Sequence, residues 1–268
     1  MLKRFAVMGN PIAHSLSPFI HQRFAEQAGI ALSYEKILVP DTLFESQVLD
    51  FFAGDGKGLN ITLPFKQRAF AMAEGITARC KLAKAANTLW LSEGKLQADN
   101  TDGIGLIRDL ASYGELAGKQ VLLLGAGGAA RGIIGPLLAA ELAGLTLVNR
   151  NEEKAKALQT EFTQLKISRL AELKTEYDLI INATSASLAA DSLALPQSLL
   201  KSTTLCYDLA YSKTGATAFV AWAVEQGVQA ADGLGMLVEQ AAEAFLIWHG
   251  VRPDARAVLT ELKYSQSG

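Results

Sequence analysis

The chain has 268 residues, enough for one large domain or two ordinary ones with a substantial core. Half of them are hydrophobic and 19% are charged, against roughly 25% in an average soluble domain, which excludes disorder and suits a compact α/β enzyme. Lys plus Arg is 25 and Asp plus Glu is 27, a net charge of −2 that lacks the basic surplus of a nucleic-acid binder but leaves room for a local basic pocket.

From the N-terminus, residues 5–8 read as a buried strand ended by Gly9-Asn10-Pro11. The apolar run there is too short for a signal-peptide core, and the stretch 133–148 is too short and too interrupted for a membrane span. Cys80 and Cys206 form no C-x-x-C and cannot staple a chain of this size, so a reducing, cytoplasmic setting is expected. Ser17-Pro18 reads as a helix N-cap with proline in the first turn, and Gly29 stops that helix. A strand is expected over 34–39, a helix over 43–52, a strand over 58–62 and a short helix opened by Pro64. Strands alternating with helices predict a mostly parallel sheet covered on both faces. A helix follows over about 103–113, then four short β-runs at 121–124, 145–148, 179–181 and 205–207. A last apolar helix over 236–248 is expected to dock back on the first domain, with Phe245 and Trp248 as packing residues.

Gly125-Ala126-Gly127-Gly128-Ala129-Ala130 fits G-x-G-x-x-[GA], and it sits between an apolar strand and a helix, where the dinucleotide fingerprint requires it. The glycines allow a tight turn, and the helix N-terminus supplies positive potential for a pyrophosphate. The next strand ends in Asn149-Arg150-Asn151, with Lys154 one turn on and no carboxylate at its tip. An NAD enzyme places Asp or Glu there, whereas Arg150 and Lys154 suit a 2′-phosphate, so the cofactor is expected to be NADP. Glu152 and Glu153 nearby would partly neutralise that charge.

The N-terminal half carries polar residues that a plain core would not want. Ser15 and Ser17 place two hydroxyls at a helix start, where they can grip a carboxylate, although Ser17 taken alone reads as the cap. Asn60 and Thr62 share one face at a strand end, and Lys66 follows on the adjoining loop, where a lysine is ordinarily solvated. Asn87-Thr88 and Asp99-Asn100-Thr101-Asp102 add further polar groups. His14, His21 and His249 have no metal-ligand spacing, so no metal is expected, and Asp208 reads as a loop cap.

Taken together, these strings resemble the shikimate dehydrogenase family. The resemblance is carried by Gly9-Asn10-Pro11-Ile12-Ala13-His14-Ser15-Leu16-Ser17-Pro18, Asn60-Ile61-Thr62-Leu63-Pro64-Phe65-Lys66, Ala86-Asn87-Thr88 and Asp99-Asn100-Thr101-Asp102-Gly103. It continues through the glycine loop, Asn149-Arg150, Ile181-Asn182-Ala183-Thr184-Ser185 and Asp232-Gly233-Leu234-Gly235-Met236-Leu237-Val238-Glu239-Gln240-Ala241, in family order over nearly the whole chain.

What the resemblance implies is an α/β protein of two domains with a cleft between them. An N-terminal α/β substrate domain with a mostly parallel sheet would span 1–101 plus 237–268, and a Rossmann-type NADP-binding domain 102–236. The implied reaction is NADPH-dependent reduction of 3-dehydroshikimate to shikimate, by a monomer or homodimer. Lys66 and Asp102 would be the catalytic pair. Ser15, Ser17 and Tyr211 would serve the carboxylate, and Asn60, Thr62, Asn87 and Gln240 the ring hydroxyls or the catalytic groups. The cofactor would be held by Gly125, Ala126, Gly127, Gly128, Ala129, Asn149, Arg150, Lys154, Thr184, Leu209 and Gly233.

The chain departs from the family pattern at Asn151 and Lys154, commonly Thr and Arg, and at Ala186-Ser187-Leu188, where glycine is common. Lys84 stands for a glycine and Ala218 for a proline. The alternatives are a quinate/shikimate dehydrogenase using NAD or either cofactor, a related folate dehydrogenase that would not need the paired serines, and a metabolite-sensing regulatory protein without turnover.

Overall fold

The computed structural model describes residues 2–184, 195–212 and 215–266. The chain forms two compact units, Met1–Gly105 with Leu237–Gly268, and Leu106–Met236. The chain leaves the first unit at 105 and returns at 237, in each case within a helix. Among the described residues no helix is long and apolar enough to cross a membrane.

The first unit runs β1 (Lys3–Gly9), α1 (Ser17–Ala28), β2 (Leu32–Leu38), α2 (Phe44–Ala53), β3 (Gly56–Ile61), α3 (Lys66–Met72), β4 (Gly75–Ile76), α4 (Ala78–Ala83), β5 (Thr88–Ser92) and β6 (Lys95–Asp99), into α5 (Asp102–Leu110). Its sheet has the order β2-β1-β3-β5-β6-β4. All neighbours are parallel except β5, which runs antiparallel to both β3 and β6. That β5–β6 hairpin is absent from the strand–helix alternation read in the sequence. Its two-residue turn, Glu93-Gly94, has φ of 52° and 75°, the mirror-image turn that matches strand twist, but it lacks the Asn-Gly or Asp-Gly that would announce it. Pleating sorts β1 by parity: Ala6 and Met8 join Phe44, Phe51 and Phe65 in one cluster, while Phe5 meets rings from the end of the chain.

The second unit runs β7 (Gln120–Leu124), α6 (Gly128–Leu138), β8 (Gly144–Val148), α7 (Glu152–Glu161), β9 (Lys166–Ile167), β10 (Tyr177–Asn182), β11 (Leu200–Asp208), α8 (Ala218–Glu225) and β12 (Gln229–Ala231). Its sheet is wholly parallel, in the order β12-β11-β10-β7-β8-β9. Helices α9 (Leu234–His249) and α10 (Ala255–Gln266) follow. The central strands are short apolar runs because both faces are covered: Val121, Leu123 and Ile181 enter one core, and Leu122, Leu124 and Ile180 the other.

The capping expected at Ser17 is corrected. Leu16 is the N-cap of α1 and makes no side-chain cap bond, so Ser17 is the first helical residue and its hydroxyl is not spent on a cap. Gly29 ends α1 in the left-handed region at φ 64°. Lys84 ends α4 in that same region at φ 49°, which explains why glycine is common there and makes lysine the costlier residue. Ala218 is the first residue of α8, a position proline tolerates but does not need, since the Thr217 side chain caps that helix.

His21 lies at 0% exposure, stacked on Tyr34 with ring centroids 4.3 Å apart and packed against Phe24, Phe245 and Trp248. Burial lowers its pKa to about 3, and that of His249 to about 4. An unfolded imidazole titrates near 6.5, so below that pH the unfolded chain takes up protons that the folded chain refuses. Stability is therefore full above about pH 6.5 and falls as pH drops from there toward 3. Urea unfolding is expected to show roughly 2 kcal/mol less stability at pH 5 than at pH 7 from His21 alone. His21→Phe should flatten that slope, and an unchanged slope would refute the assignment.

Candidate active site

Three chain segments of the first unit converge on Asn87: the start of α3 with Lys66, the turn after β6 with Thr101 and Asp102, and α9 with Gln240. Lys66 Nζ is 2.7 Å from Asp102 Oδ2, although the two lie 36 positions apart. The other Asp102 oxygen accepts from Asn87 Nδ2 at 2.8 Å, which also reaches Thr101 Oγ1 at 2.8 Å and Gln240 Oε1 at 3.1 Å. The Asp102 amide donates to Asn100 Oδ1, and Asn100 donates in turn to the Ala85 carbonyl. Asn87, Thr101, Asp102 and Gln240 are all buried, so each of these bonds replaces water rather than competing with it. Gly105 is required here, because a Cβ would lie 2.7 Å from Gln240 Cβ.

Asn60 is buried at the end of β3, donating to the Asn87 carbonyl at 3.1 Å and Thr88 Oγ1 at 3.3 Å. Thr62 follows it, and its methyl group leaves no room for a Cβ at Gly9, which would come within 2.3 Å. Ser15 Oγ donates to Ser17 Oγ at 3.2 Å, and the Ser17 amide donates to Ser15 Oγ, so the two hydroxyls stand together. Lys66, Asp102, Asn60, Asn87 and Gln240 thus form one hydrogen-bonded polar floor, while Ser15 and Ser17 pair with each other.

Arg79 ties that floor to α9, and sequence reading missed it. Its guanidinium donates to Asp99 Oδ1 at 2.8 Å and Oδ2 at 2.5 Å, and to Glu243 Oε1 at 2.9 Å. Asp99 Oδ1 also accepts from Thr77 Oγ1 and from the Asn100 amide, fixing the turn that carries Asp102. Nothing in the local sequence distinguishes Arg79 from a solvated arginine, because its partners are 20 and 164 positions away.

In the second unit the glycine loop follows β7 as expected. Gly125 has φ 105° and sits against the Ala183 carbonyl, a position closed to a side chain. Open space lies over Gly127 and Gly128, where a Cβ would meet nothing within 4 Å. Gly127 caps α6 with no side-chain bond, leaving the first helical amides for an anionic group. Asn149 Oδ1 accepts from the Ala126 amide at 3.1 Å and so braces the loop from the end of β8. Gly233 packs on Leu209, whose carbonyl would be 2.2 Å from a Cβ, and Thr184 donates to Asn182 Oδ1 at 2.7 Å. Gly125, Ala126, Asn149, Thr184, Leu209 and Gly233 therefore gather at the carboxyl edge of the parallel sheet, where doubly wound folds bind dinucleotides.

Asp208, read as a loop cap, accepts from Asn182 Nδ2, the Ala210 amide and Thr217 Oγ1, so it joins the ends of two strands and a helix start. Tyr211 follows β11 in this unit, and burial together with the charge of Asp232 raises its pKa.

Three family descriptions match the chain in order: "Shikimate dehydrogenase substrate binding domain" over residues 7–89, "Shikimate / quinate 5-dehydrogenase" over 109–211 and "Shikimate 5'-dehydrogenase C-terminal domain" over 233–263. A shikimate dehydrogenase (NADP(+)) of Legionella pneumophila (strain Lens) is 57% identical over 263 residues, 98% of this chain and 99% of that one. The chain belongs to the shikimate dehydrogenase family. Among solved structures, an Ael1 enzyme from Pseudomonas putida is 48% identical with a TM-score of 0.91, covering 97% of this chain and 98% of that one. Shikimate 5-dehydrogenase from Thermus thermophilus, solved with NADP(H) and shikimate, is 34% identical with a TM-score of 0.89 over 99% and 100% of the two chains.

One further departure from the shikimate dehydrogenase pattern acquires a physical reading. Asn151 is the N-cap of α7, its side chain accepting from the Lys154 amide at 3.1 Å, so it replaces the common threonine in a capping task. Glu152 is held by Arg169 at 2.6 Å, and Arg150 and Lys154 are both exposed. The variant stretch Ala186-Ser187-Leu188 lies outside the described residues.

Proposed function

We propose that this protein is an NADP-dependent oxidoreductase that interconverts 3-dehydroshikimate and shikimate. The observation that carries the reading is the Lys66–Asp102 pair at 2.7 Å, on a floor shared with Asn60, Asn87 and Gln240. When bound, NADPH supplies a hydride to the ketone carbon.

The chain's own residues handle the charge that results. Hydride addition leaves negative charge on the former ketone oxygen, which needs a cation and a proton at that moment. Lys66 supplies both: its ammonium stabilises the forming alkoxide, then gives up a proton to leave a hydroxyl and a neutral amine. Asp102 orients Lys66 through one oxygen and is itself held by Asn87 through the other. In the oxidative direction the amine takes the hydroxyl proton back. Ser15 and Ser17 grip the substrate carboxylate, while Asn60, Thr62, Asn87 and Gln240 hold ring hydroxyls or the catalytic groups.

The residues present fit the dinucleotide. The backbone from Gly125 to Ala129 cradles the pyrophosphate, Asn149 braces it, and Arg150 with Lys154 meets the 2′-phosphate. Thr184, Leu209 and Gly233 line the nicotinamide end. A lysine at 154 keeps the charge but loses the bidentate fork of arginine, so Arg150 carries most of the selectivity. Substrate binding is assigned to the unit Met1–Gly105 with Leu237–Gly268, whose first boundary falls four residues past the 101 expected from sequence, and NADP binding to the unit Leu106–Met236. The two buried free thiols support a cytoplasmic setting.

Initial rates with shikimate and quinate, each with NADP and NAD, test the reading. Shikimate with NADP is expected to exceed the NAD rate at least tenfold. Arg150→Ala should raise KM for NADP about 10- to 100-fold and leave KM for NAD nearly unchanged, the size of a lost charge-assisted bond or two. Equal rates with NAD, or with quinate, would move the chain to the dual-specificity reading.

A further inference from the structure

We propose that Lys36 supplies the positive charge that the substrate carboxylate needs and the paired serines lack, which makes it a specificity-determining residue of the substrate site. The inference rests on Ser15 and Ser17 being the carboxylate grip.

The register of the first sheet places Lys36. It pairs with Val7 across β2 and β1, and Val7 pairs with Asn60 across β1 and β3. Residues directly opposite one another in neighbouring strands project from the same face of a sheet. Lys36 therefore stands in one row with Asn60 of the polar floor, two strand spacings or about 10 Å away. Tyr34, one step earlier on that face, reaches Asn60 Oδ1 with its hydroxyl at 2.6 Å. His21 of α1 stacks on Tyr34, so the helix that opens with Ser17 covers this face too. The chain between β1 and α1 turns beside the row. In that turn the Ser15 amide donates to the Ile12 carbonyl at 3.0 Å, and Lys36 Nζ donates to the Ala13 carbonyl at 2.7 Å. The ammonium is thus anchored two residues before Ser15, against the loop that carries both hydroxyls.

Charge decides what such an ammonium is for. A carboxylate carries a full negative charge out of water, and two hydroxyls offer it dipoles alone. Lys66 is already balanced by Asp102 at 2.7 Å. Among the described residues no carboxylate pairs with Lys36, and its neighbour Glu35 faces the other way and holds Arg4 at 2.9 Å. An ammonium has three protons, of which the Ala13 carbonyl takes one. That bond also fixes the head of a long side chain in advance, so little of its freedom is lost when substrate binds. Lys36 is exposed and pays little desolvation, yet its field reaches a carboxylate seated within a Debye length. The same ring without its acid group gains nothing from this charge, so Lys36 selects for the acid.

Lys36→Gln removes the charge and keeps a donor for the Ala13 carbonyl, whereas Lys36→Arg keeps both. Lys36→Gln is expected to melt within a few degrees of wild type and to raise KM for shikimate about five- to tenfold, the size of one charge at partly solvated range. Its kcat and its KM for NADP should stay within about twofold, and Lys36→Arg should restore KM for shikimate. Added salt should raise that KM in wild type and in Lys36→Arg, and do so less in Lys36→Gln. The methyl ester of shikimate, which lacks the charge, should bind wild type and Lys36→Gln alike. An active wild type with Lys36→Gln within twofold for shikimate would overturn the proposal while leaving the function standing. So would an ester weakened as much as the acid, since a mere brace of the turn affects both ligands equally. A wild type that neither binds nor turns over shikimate would overturn both.

Discussion

Lys66→Ala is expected to lower kcat about 10²- to 10⁴-fold, the ordinary worth of a positioned acid, with little change in KM for shikimate. The split follows from geometry. Lys66 Nζ is bound to Asp102, and its side chain is 27% exposed, so it contributes little to ground-state burial. Its charge becomes decisive only when the substrate oxygen turns anionic, and stabilisation confined to that moment appears in kcat. Lys66→Arg keeps a cation beside Asp102 but holds its proton too tightly to donate it, so it should restore little turnover. Steady-state rates for both variants decide the matter, and a Lys66→Ala enzyme within threefold of wild type would remove this residue from the chemistry.

Arg79→Ala is expected to cost roughly 3–5 kcal/mol of stability, a large share of the 5–15 kcal/mol typical of folded domains. Asp99 is 2% exposed and Glu243 is 7% exposed, and both lose the same cation. Glu243 keeps Arg252 at 3.5 Å, but Asp99 is left with the Thr77 hydroxyl and Asn100 amide to set against the desolvation penalty of its charge. Asp99 also anchors the turn that carries Asp102, so kcat should fall with stability rather than independently of it. Urea unfolding measures the first effect. Adding Asp99→Asn to Arg79→Ala should recover part of the loss by removing one orphaned charge, and full additivity of the two changes would argue against a shared network.

Much of this molecule is legible in the chain itself. The glycine loop, the four apolar runs of the second sheet and the alternation of strand and helix rest on local patterns, and local patterns survive translation into sequence. The β5–β6 hairpin escaped because Glu93-Gly94 adopts a turn without the residues that favour it. Ser17 reads as a cap in the sequence because proline at the next position fits either assignment, and only the position of Leu16 separates them. Lys66 and Asp102 were named through family strings, and their 2.7 Å contact could not come from spacing. Arg79 and Glu243 leave no local signal, since what distinguishes each is a partner far along the chain.

The interruption of the first unit bears on how the chain is made. Phe5 on β1 packs against Trp248 and His249, and His21 against Phe245 and Trp248, so one face of the N-terminal sheet is closed by residues synthesised near the end. The second unit, a continuous stretch ending at Met236, is complete first. At ordinary translation rates the earlier sheet waits on the order of ten seconds with an apolar face uncovered. The second unit to emerge is thus the first to finish, and during that interval the older half of the protein is the natural client for a chaperone.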